Sequence, residues 1–212
     1  MHVIRRGLHC SSLAKTRTDG IMPKEVTLSG IQPTGTPHLG NYLGALRQWT
    51  MLQDSPTPNE CIFQIADLHA LTSASKAKRT TTAKESIAMG TALLAMGIDP
   101  SKSLLLRQSL VPQHSELAWI LFCHTPIGWL KRMHQWKSKA PMEGSDEEAV
   151  SIGLLSYPVL QAADILLYQT TQVPVGEDQA QHLNLAAMIA RSFNSKVKDR
   201  VFQVPKALLG VS

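Results

Sequence analysis

A glycine-rich stretch, residues 29–41, restricts the possible folds of this chain more than any other segment does. A short β-type run, residues 26–28 with Ile31, leads into it, and apolar residues recur at helical spacing through residues 42–49. The pattern therefore predicts a strand that turns sharply into a helix. Its three glycines would let the backbone approach a ligand closely, and the first N–H groups of the helix would attract an anion. Such a stretch is typical of a phosphate-binding turn, with a plain turn punctuated by glycine and proline as the open alternative.

Two donor side chains lie at the end of this stretch. His38 and Asn41 are three residues apart, so they would face the same way in the first turn of the helix. The glycine spacing fits neither the Walker phosphate loop nor the Gly-x-Gly-x-x-Gly fingerprint, which excludes those two nucleotide-binding motifs.

Strand-like and helix-like segments alternate along most of the chain. Apolar strand patterns recur at residues 61–66 and 102–107 and at the start of residues 172–179. Helical periodicity covers residues 79–96 and 115–139, and a proline within the second segment predicts two helices there. This alternation predicts an α/β fold, a Rossmann-like doubly wound parallel sheet with helices on both faces.

The composition fits one medium-sized domain with a full hydrophobic core. The chain has 212 residues, a formal net charge of +5 and a pI near 9.2. A mildly basic balance is compatible with nucleic-acid binding but is also common in proteins that bind none. We expect no membrane association, because no apolar run is long enough to span a bilayer. The three cysteines form no Cys-x-x-Cys pair, so we expect free thiols in a reducing compartment, with Cys61 and Cys123 buried.

The beginning of the chain has the composition of a targeting leader. Residues 1–18 contain four lysines and arginines together with serines, and no acidic residue precedes Asp19. Such a composition is typical of a mitochondrial transit peptide. We therefore expect a transit peptide at residues 1–20 and a location in the mitochondrial matrix, with a frayed basic N-terminus as the alternative.

A second informative stretch, residues 153–168, predicts a helix with Pro158 in its first turn. Most of its surface is apolar, and its polar side carries Tyr157, Gln161, Asp164 and Tyr168. Asp164 is thus a carboxylate among apolar residues, and burying an unpaired charge is costly. Its partner must be a backbone N–H, a distant arginine or an N–H group of a ligand, and the residue pattern leaves these three open.

Polar residues also follow two predicted strands, where ligands of doubly wound sheets usually bind. Residues 67–72 form either a ligand site or a capped loop, and we assign His69 no catalytic role. The acidic residues within 176–179 are ordinary at a helix N-terminus. Four acidic residues within 140–149 lack a histidine or a spaced partner, which predicts a mobile solvated loop and no metal site.

Three of these motifs resemble those of one enzyme family. Residues 33–41, which end in His-Leu-Gly-Asn, resemble the His-Ile-Gly-His signature of class I aminoacyl-tRNA synthetases. Asn41 stands where many class I enzymes have the second histidine, and either side chain can donate to a phosphate. The preceding Ser-Gly-Ile-Gln-Pro-Thr-Gly is similar to the form in tryptophanyl-tRNA synthetases, as are Tyr-Pro-x-x-x-Ala-Ala-Asp at 157–164 and Val-Pro-Val-Gly-Glu-Asp-Gln at 173–179. The resemblance extends over about residues 25–205.

The resemblance implies a reaction and the residues that serve it. Such enzymes condense L-tryptophan with ATP, accompanied by Mg²⁺, to tryptophanyl-adenylate and diphosphate, then transfer the acyl group to tRNA(Trp), and they act as homodimers. Catalytic roles are implied for His38 and Asn41. ATP binding is implied for Gln32, Pro33, Thr34, Gly40, Asn41, Gly176, Glu177 and Asp178. Tryptophan binding is implied for Gln135, Tyr157, Gln161 and Asp164.

The implied role of Asp164 is to accept the indole N–H of the substrate. Indole offers only a donor at this position, so the carboxylate favours tryptophan over tyrosine.

The sequence departs from the family pattern at its end. The family carries a second signature, Lys-Met-Ser-Lys-Ser, and then an anticodon-binding domain, whereas this sequence stops at Ser212 before either. We expect a class I catalytic domain over residues 25–212 that lacks the last part of the fold, with a connecting insertion around 108–150 and no anticodon-binding domain. Two functions stay open. One is a tryptophan–tRNA ligase weakened by the loss of the lysines of the second signature. The other is a noncatalytic form that binds tryptophan or ATP or pairs with a full-length synthetase.

Overall fold

The structure, a computed structural model, describes residues 25–35, 37, 40, 46–57, 59–73, 83–139, 151–176 and 179–209. Several sequence-based predictions therefore lie outside the described residues, namely the leader at 1–20, Cys10, His38, Asn41, the acidic loop at 140–149, Glu177 and Asp178.

Within the described residues, the strands form one parallel sheet. They are β1 (Glu25–Ile31), β2 (Asn59–Ile65), β3 (Leu104–Arg107), β4 (Gln172–Val175) and β5 (Lys206–Leu209). Their order is β3-β2-β1-β4-β5, and each neighbouring pair is parallel. The predicted doubly wound parallel sheet is confirmed.

Helices connect the strands. They are α1 (Arg47–Gln53), α2 (Asp67–Ser73), α3 (Ala83–Ala95), α4 (Gln113–Phe122), α5 (Ile127–Lys131), α6 (His134–Lys139), α7 (Ile152–Leu167) and α8 (Ala180–Val197), with a 3₁₀ turn at Gln108–Leu110. Pro126 is extended and separates α4 from α5, as the sequence predicted. Of the helices in the described part of the chain, none has the length and apolar character needed to cross a membrane.

Strand β2 shows why helices cover both faces of the sheet. Successive side chains of a strand point to opposite faces, and in β2 both sets are buried. Cys61 and Phe63 join a core with residues from α1 and α3, where Trp49 stacks on Phe63 with ring centroids 4.7 Å apart. Ile62 joins the larger core on the other face, which α4, α5, α7 and α8 complete. Each large apolar side chain buried in this way contributes about 1.5–3 kcal/mol of hydrophobic stabilisation.

The strand order places a crevice between β1 and β4. The chain runs outward from β1 to β2 and β3, then returns to β4 on the other side of β1. Adjacent connections therefore leave in opposite directions at the carboxyl ends of β1 and β4. Ligands of open α/β sheets bind at such a topological switch point.

Two sequence-based predictions were wrong. Helix α7 begins at Ile152 after an extended Ser151, so Pro158 lies inside the helix rather than in its first turn. A proline there removes one intrahelical hydrogen bond, and the burial of Pro158 against the core offsets that loss. Cys61 is buried as expected, but Cys123 is exposed because it lies just past the end of α4, on the surface.

Candidate functional site

A cavity of about 290 Å³ opens at the carboxyl ends of β1 and β4. Its walls come from the ends of these two strands, from β2, and from helices α2, α6, α7 and α8. The lining residues include Ser29, Gly30, Gln32, Gln64, His69, Thr72, Gln135, Tyr157, Gln161, Asp164, Val173, Val175, Gln179 and His182. The cavity thus lies at the switch point, where the fold itself predicts a ligand site.

Asp164 is the most heavily hydrogen-bonded side chain of this site. Its Oδ2 accepts from Gln64 Nε2 at 3.0 Å and from His69 Nε2 at 2.8 Å. Its Oδ1 accepts from His114 Nδ1 at 2.6 Å, and Gln108 Nε2 donates to both oxygens, at 3.0 and 2.9 Å. We call Asp164 with these four donors the Asp164 cluster.

The cluster keeps the Asp164 carboxylate ionised although the side chain is only 3% exposed. Burial alone would raise the pKa of Asp164, but hydrogen bonds from His114 and His69 and Coulombic attraction to them lower it below its ordinary value. Because an ionised carboxylate only accepts hydrogen bonds, each of the four partners must present an N–H to it. Side chains rather than a backbone N–H or an arginine are therefore its partners within the described residues.

His114 links Asp164 to a second residue of α7. His114 donates from Nδ1 to Asp164, and its Nε2 makes a hydrogen bond with the Tyr168 hydroxyl, 2.9 Å away. Burial and the charge of Asp164 raise the pKa of Tyr168 to about 12, so this hydroxyl stays protonated at neutral pH. The chain Tyr168–His114–Asp164 fixes the carboxylate from the side away from the cavity.

Gln108 reaches Asp164 because the turn at Gln108–Leu110 is held in place. Asp67 accepts from Ser109 N at 2.9 Å and from Ser109 Oγ at 2.6 Å, and it pairs with Arg107 Nε at 2.6 Å. Burial raises the pKa of Asp67, but these hydrogen bonds bring it below its ordinary value. The sequence left residues 67–72 open between a ligand site and a capped loop. In the structure they lie in helix α2, and Asp67 at its start holds Arg107 of the neighbouring strand β3.

A second polar group lies across the cavity. The Tyr157 hydroxyl bonds to Gln135 Oε1 and to His182 Nε2, the latter at 2.8 Å. Since the hydroxyl has one proton, it donates to Gln135 and accepts from His182. Burial raises the pKa of Tyr157 to about 12, so it remains a neutral donor and acceptor. This group ties α6 and α8 to α7 at the cavity wall.

The residues predicted for tryptophan and for ATP are placed differently. All four predicted tryptophan residues, Gln135, Tyr157, Gln161 and Asp164, line the cavity. Of the predicted ATP residues, Gln32 lines it as well, while Pro33, Thr34, Gly40 and Gly176 are described but are not among its lining residues. The remaining predicted residues, His38, Asn41, Glu177 and Asp178, lie outside the described part of the chain.

Sequence reasoning missed most of the side chains around Asp164. Gln64, Gln108 and His114 were given no role, and His69 was considered and set aside. The sequence feature that could have identified them is a polar residue inside an apolar pattern, as with Gln64 between Phe63 and Ile65. A buried polar side chain requires a partner, but the sequence does not say which one. In the described residues no group of three or more His, Cys, Asp or Glu side chains could hold a metal ion.

Comparison with known proteins gives consistent relatives. The family described as tRNA synthetases class I (W and Y) matches residues 24–210. A mitochondrial tryptophan–tRNA ligase of Schizosaccharomyces pombe is 50% identical over 206 residues, 91% of this chain and 56% of the relative. A tryptophan–tRNA ligase of Rickettsia bellii is 48% identical over 89% of this chain and 55% of the relative. The chain thus spans about half the length of these curated relatives.

Solved structures agree with the sequence comparison. The tryptophanyl-tRNA synthetase of Campylobacter jejuni superposes with a TM-score of 0.78 at 40% identity, covering 89% of this chain and 56% of that one. A second structure of that synthetase, in complex with ADP and tryptophan, gives a TM-score of 0.76 at 40% identity, with 88% and 56% covered. Taken with the family match over nearly the whole sequence and the parallel sheet described above, these relatives show that the chain belongs to the class I tRNA synthetases of the tryptophan and tyrosine family.

Proposed function

We propose that this chain binds L-tryptophan in the cavity at the β1–β4 switch point and condenses it with ATP to tryptophanyl-adenylate. The observation that carries the proposal is the convergence of Gln135, Tyr157, Gln161 and Asp164 on one cavity. These residues belong to two different helices, α6 and α7. The cavity volume, about 290 Å³, lies near the lower end of the range for small-molecule sites, which suits a single amino acid.

The charge of the site supports an amino acid whose ring carries a hydrogen-bond donor. Asp164 places a buried negative charge at the cavity wall, with Gln64 and His69 beside it. A ligand group that could only accept a hydrogen bond would be repelled there, and buried polar groups left unpaired reject such analogues strongly. The S. pombe and C. jejuni relatives, named for tryptophan, support the same substrate.

ATP would bind at the mouth of the crevice, next to the reacting carboxyl group of tryptophan. Gln32 borders both the cavity and the glycine-rich turn that follows β1. We assign to ATP the residues Gln32, Pro33, Thr34, His38, Gly40, Asn41, Gly176, Glu177 and Asp178. Mg²⁺ would arrive with the ATP phosphates and keep several waters.

The chemistry of this step needs positioning more than covalent help from the protein. The tryptophan carboxylate attacks the α-phosphorus of ATP, the bond to the bridging oxygen breaks, and diphosphate leaves. Donors from the glycine-rich turn, with His38 and Asn41, would stabilise the negative charge that develops on the phosphates. Transfer of the acyl group to tRNA(Trp) in mitochondrial translation, which the name of the mitochondrial relative supports, completes the proposed reaction. We further propose that the chain acts as a homodimer.

The test is tryptophan-dependent exchange of diphosphate into ATP by the purified 212-residue chain, with equilibrium dialysis of radiolabelled tryptophan in parallel. We expect saturable tryptophan binding and measurable exchange, with tyrosine inactive in both assays. Binding without exchange would favour a noncatalytic tryptophan-binding form. Stronger binding of tyrosine than of tryptophan would refute the assigned substrate, and failure to bind either would refute the assigned site.

Location and assembly are tested separately. A fluorescent protein fused behind residues 1–20 should enter mitochondria, and deletion of those residues should leave it in the cytosol. Sedimentation equilibrium of the purified chain should give twice the mass of one chain if the homodimer forms.

A further inference from the structure

Two segments of the chain concentrate its positive charge. Residues 117–139 and 179–198 carry seven lysines and arginines and no aspartate or glutamate, although the whole chain has 21 basic residues against 16 acidic ones. The first segment comprises the second half of α4 with α5 and α6, and the second comprises α8. Neither segment can therefore neutralise its cations from within.

The two segments lie side by side in the fold. Near the start of α8, Gln181 Oε1 accepts from the backbone N–H of His134 at 2.8 Å. Near its end, Lys196 Nζ donates to the carbonyl oxygen of His124 at 3.4 Å, and the rings of His124 and Phe193 have centroids 5.1 Å apart. The chain between these two histidines thus runs along α8, whose 18 residues span about 27 Å at about 1.5 Å each.

The cations of these segments are exposed and lack acidic partners. Those whose side chains the structure describes are Lys131, Arg132, Lys137, Arg191, Lys196 and Lys198, and we call the surface that they form the basic face. None of them forms an ion pair with an acidic residue in the described part of the chain. Asp199, the acid that follows them, is exposed and accepts from the backbone N–H of Arg200 at 2.7 Å. A row of cations without counter-charges favours a polyanion, because each contact releases a counterion.

One end of the basic face borders the cavity. Gln135 of α6 and His182 near the start of α8 both line the cavity, and the exposed Lys137 is two residues from Gln135. The other end lies at Lys196 and Lys198, where α8 finishes. A polyanionic strand bound along the face would therefore have its terminus at the place where the acyl-adenylate forms. A lipid bilayer could meet the same charges, but it could not enter the cavity, so the placement favours an RNA strand.

We propose that the basic face binds the sugar–phosphate backbone of the 3′-terminal strand of tRNA and directs that end into the cavity. This inference rests on the proposed function, since the strand accepts the acyl group that is activated there. The contacts are made by lysine and arginine to phosphates, so they position the strand without reading its sequence. Such contacts weaken as salt concentration rises.

The test measures the binding of an RNA hairpin by fluorescence anisotropy across a series of salt concentrations. The hairpin reproduces the acceptor stem and the single-stranded 3′ end of tRNA(Trp). The test variant is Lys131→Gln with Arg191→Gln, which neutralises one cation on α5 and one on α8. The matched control is Lys84→Gln with Arg47→Gln, since these residues are exposed on α3 and α1 at the other face of the sheet.

We expect the slope of log affinity against log salt concentration to fall by about one for each cation removed, and hence by about two in the test variant. The control should keep the wild-type slope. A hairpin with a scrambled stem sequence should show the same loss, because phosphate contacts do not depend on the bases. The test variant should exchange diphosphate into ATP as the wild type does, which also shows that it is folded. If it does not, each single variant replaces it, with an expected fall of about one.

An unchanged slope in the test variant, or an equal fall in the control, would overturn the inference and leave the proposed function intact. Tighter binding to vesicles containing phosphatidylserine than to the hairpin would overturn it in favour of a membrane partner. Failure of the wild-type chain to bind the hairpin would overturn it without any variant. The proposed function fails by a separate result, the absence of diphosphate exchange by the wild type without RNA, and this inference then falls with it.

Discussion

Replacing Asp164 by Asn should lower the free energy of unfolding by about 2–4 kcal/mol. The substitution keeps the shape of the side chain but removes its charge and turns one oxygen into an NH₂ group. Since all four partners of Asp164 present N–H groups to it, the new NH₂ must face at least one donor wherever it lies. The cost follows from how far those partners can rearrange.

The arrangement of the Asp164 cluster sets this magnitude. Gln108 cannot rotate, because its oxygen is held by the backbone N–H groups of Leu68 and His69. Gln108 donates to both oxygens, so the NH₂ of Asn faces this donor in either position. At the Oδ2 position, Gln64 can rotate its amide and His69 can change tautomer to accept. The bonds that survive become neutral, and hydrogen bonds to charged groups contribute about 1 kcal/mol more than neutral ones. Summed over these partners, the loss reaches about 2–4 kcal/mol.

Urea unfolding followed by circular dichroism measures the effect at neutral pH. Asp54→Asn is a matched control, because Asp54 pairs with Lys102 at 2.7 Å with both side chains more than half exposed. Exposed ion pairs contribute at most about 1 kcal/mol, so this control should unfold nearly as the wild type does. If Asp164→Asn were as stable as the control, the buried Asp164 cluster would not stabilise the fold and the reasoning would be refuted.

The pH dependence gives an independent check on the same carboxylate. Because the folded-state pKa of Asp164 is lowered, its contribution is fully present above the ordinary value of 3.8 and is lost as pH falls through the lowered pKa. The difference in unfolding free energy between wild type and Asp164→Asn should therefore be constant above 3.8 and shrink below it. A difference that grew on acidification would mean that the folded protein raises this pKa.

Three further predictions follow from local geometry. Gly30→Ala should fold, because its Cβ meets no atom closer than 3.5 Å, but tryptophan binding measured by dialysis should weaken since the methyl group occupies the cavity; unchanged binding would place the ligand elsewhere. Gly97→Ala should cost about 1 kcal/mol or more in urea unfolding, because Gly97 has φ of +101° at the end of α3; an equally stable variant would contradict that conformation. Iodoacetamide should modify the exposed Cys123 and spare Cys61, because burial raises the pKa of the Cys61 thiol to about 11. Peptide mass spectrometry measures the modification at both cysteines, and faster modification of Cys61 would contradict its burial.

Local patterns in the sequence were sufficient for the architecture. Alternating strand and helix periodicities predicted the parallel sheet, because each pattern reports which face of an element must be buried. Gly97 lies just past the helical pattern at residues 79–96 and ends α3, with N–H bonds from Gly97 to Leu94 O and from Ile98 to Leu93 O. The position of Pro158 was not predicted correctly: its helix starts at Ile152, so this proline lies beyond the first turn.

The candidate site was predictable only in part. The sequence correctly indicated that Tyr157, Gln161 and Asp164 share one side of a helix, since residues three or four apart lie together. It also required a partner for Asp164, because an unpaired buried charge is costly. Those conclusions depend on spacing within one helix and on the chemistry of one side chain, and both are present in the sequence.

Only the tertiary structure decided which partners Asp164 has. Its donors come from β2, α2, the turn at Gln108–Leu110 and α4, and Gln64 is 100 residues away along the chain. Periodicity cannot report such contacts, because they depend on the order of strands in the sheet and on how the connecting helices pack across it. The sequence by itself therefore determined the fold class and the need for a partner. The packing of distant elements determined that side chains meet this need, and that the Gln64 carbonyl oxygen is buried without a partner among the described residues.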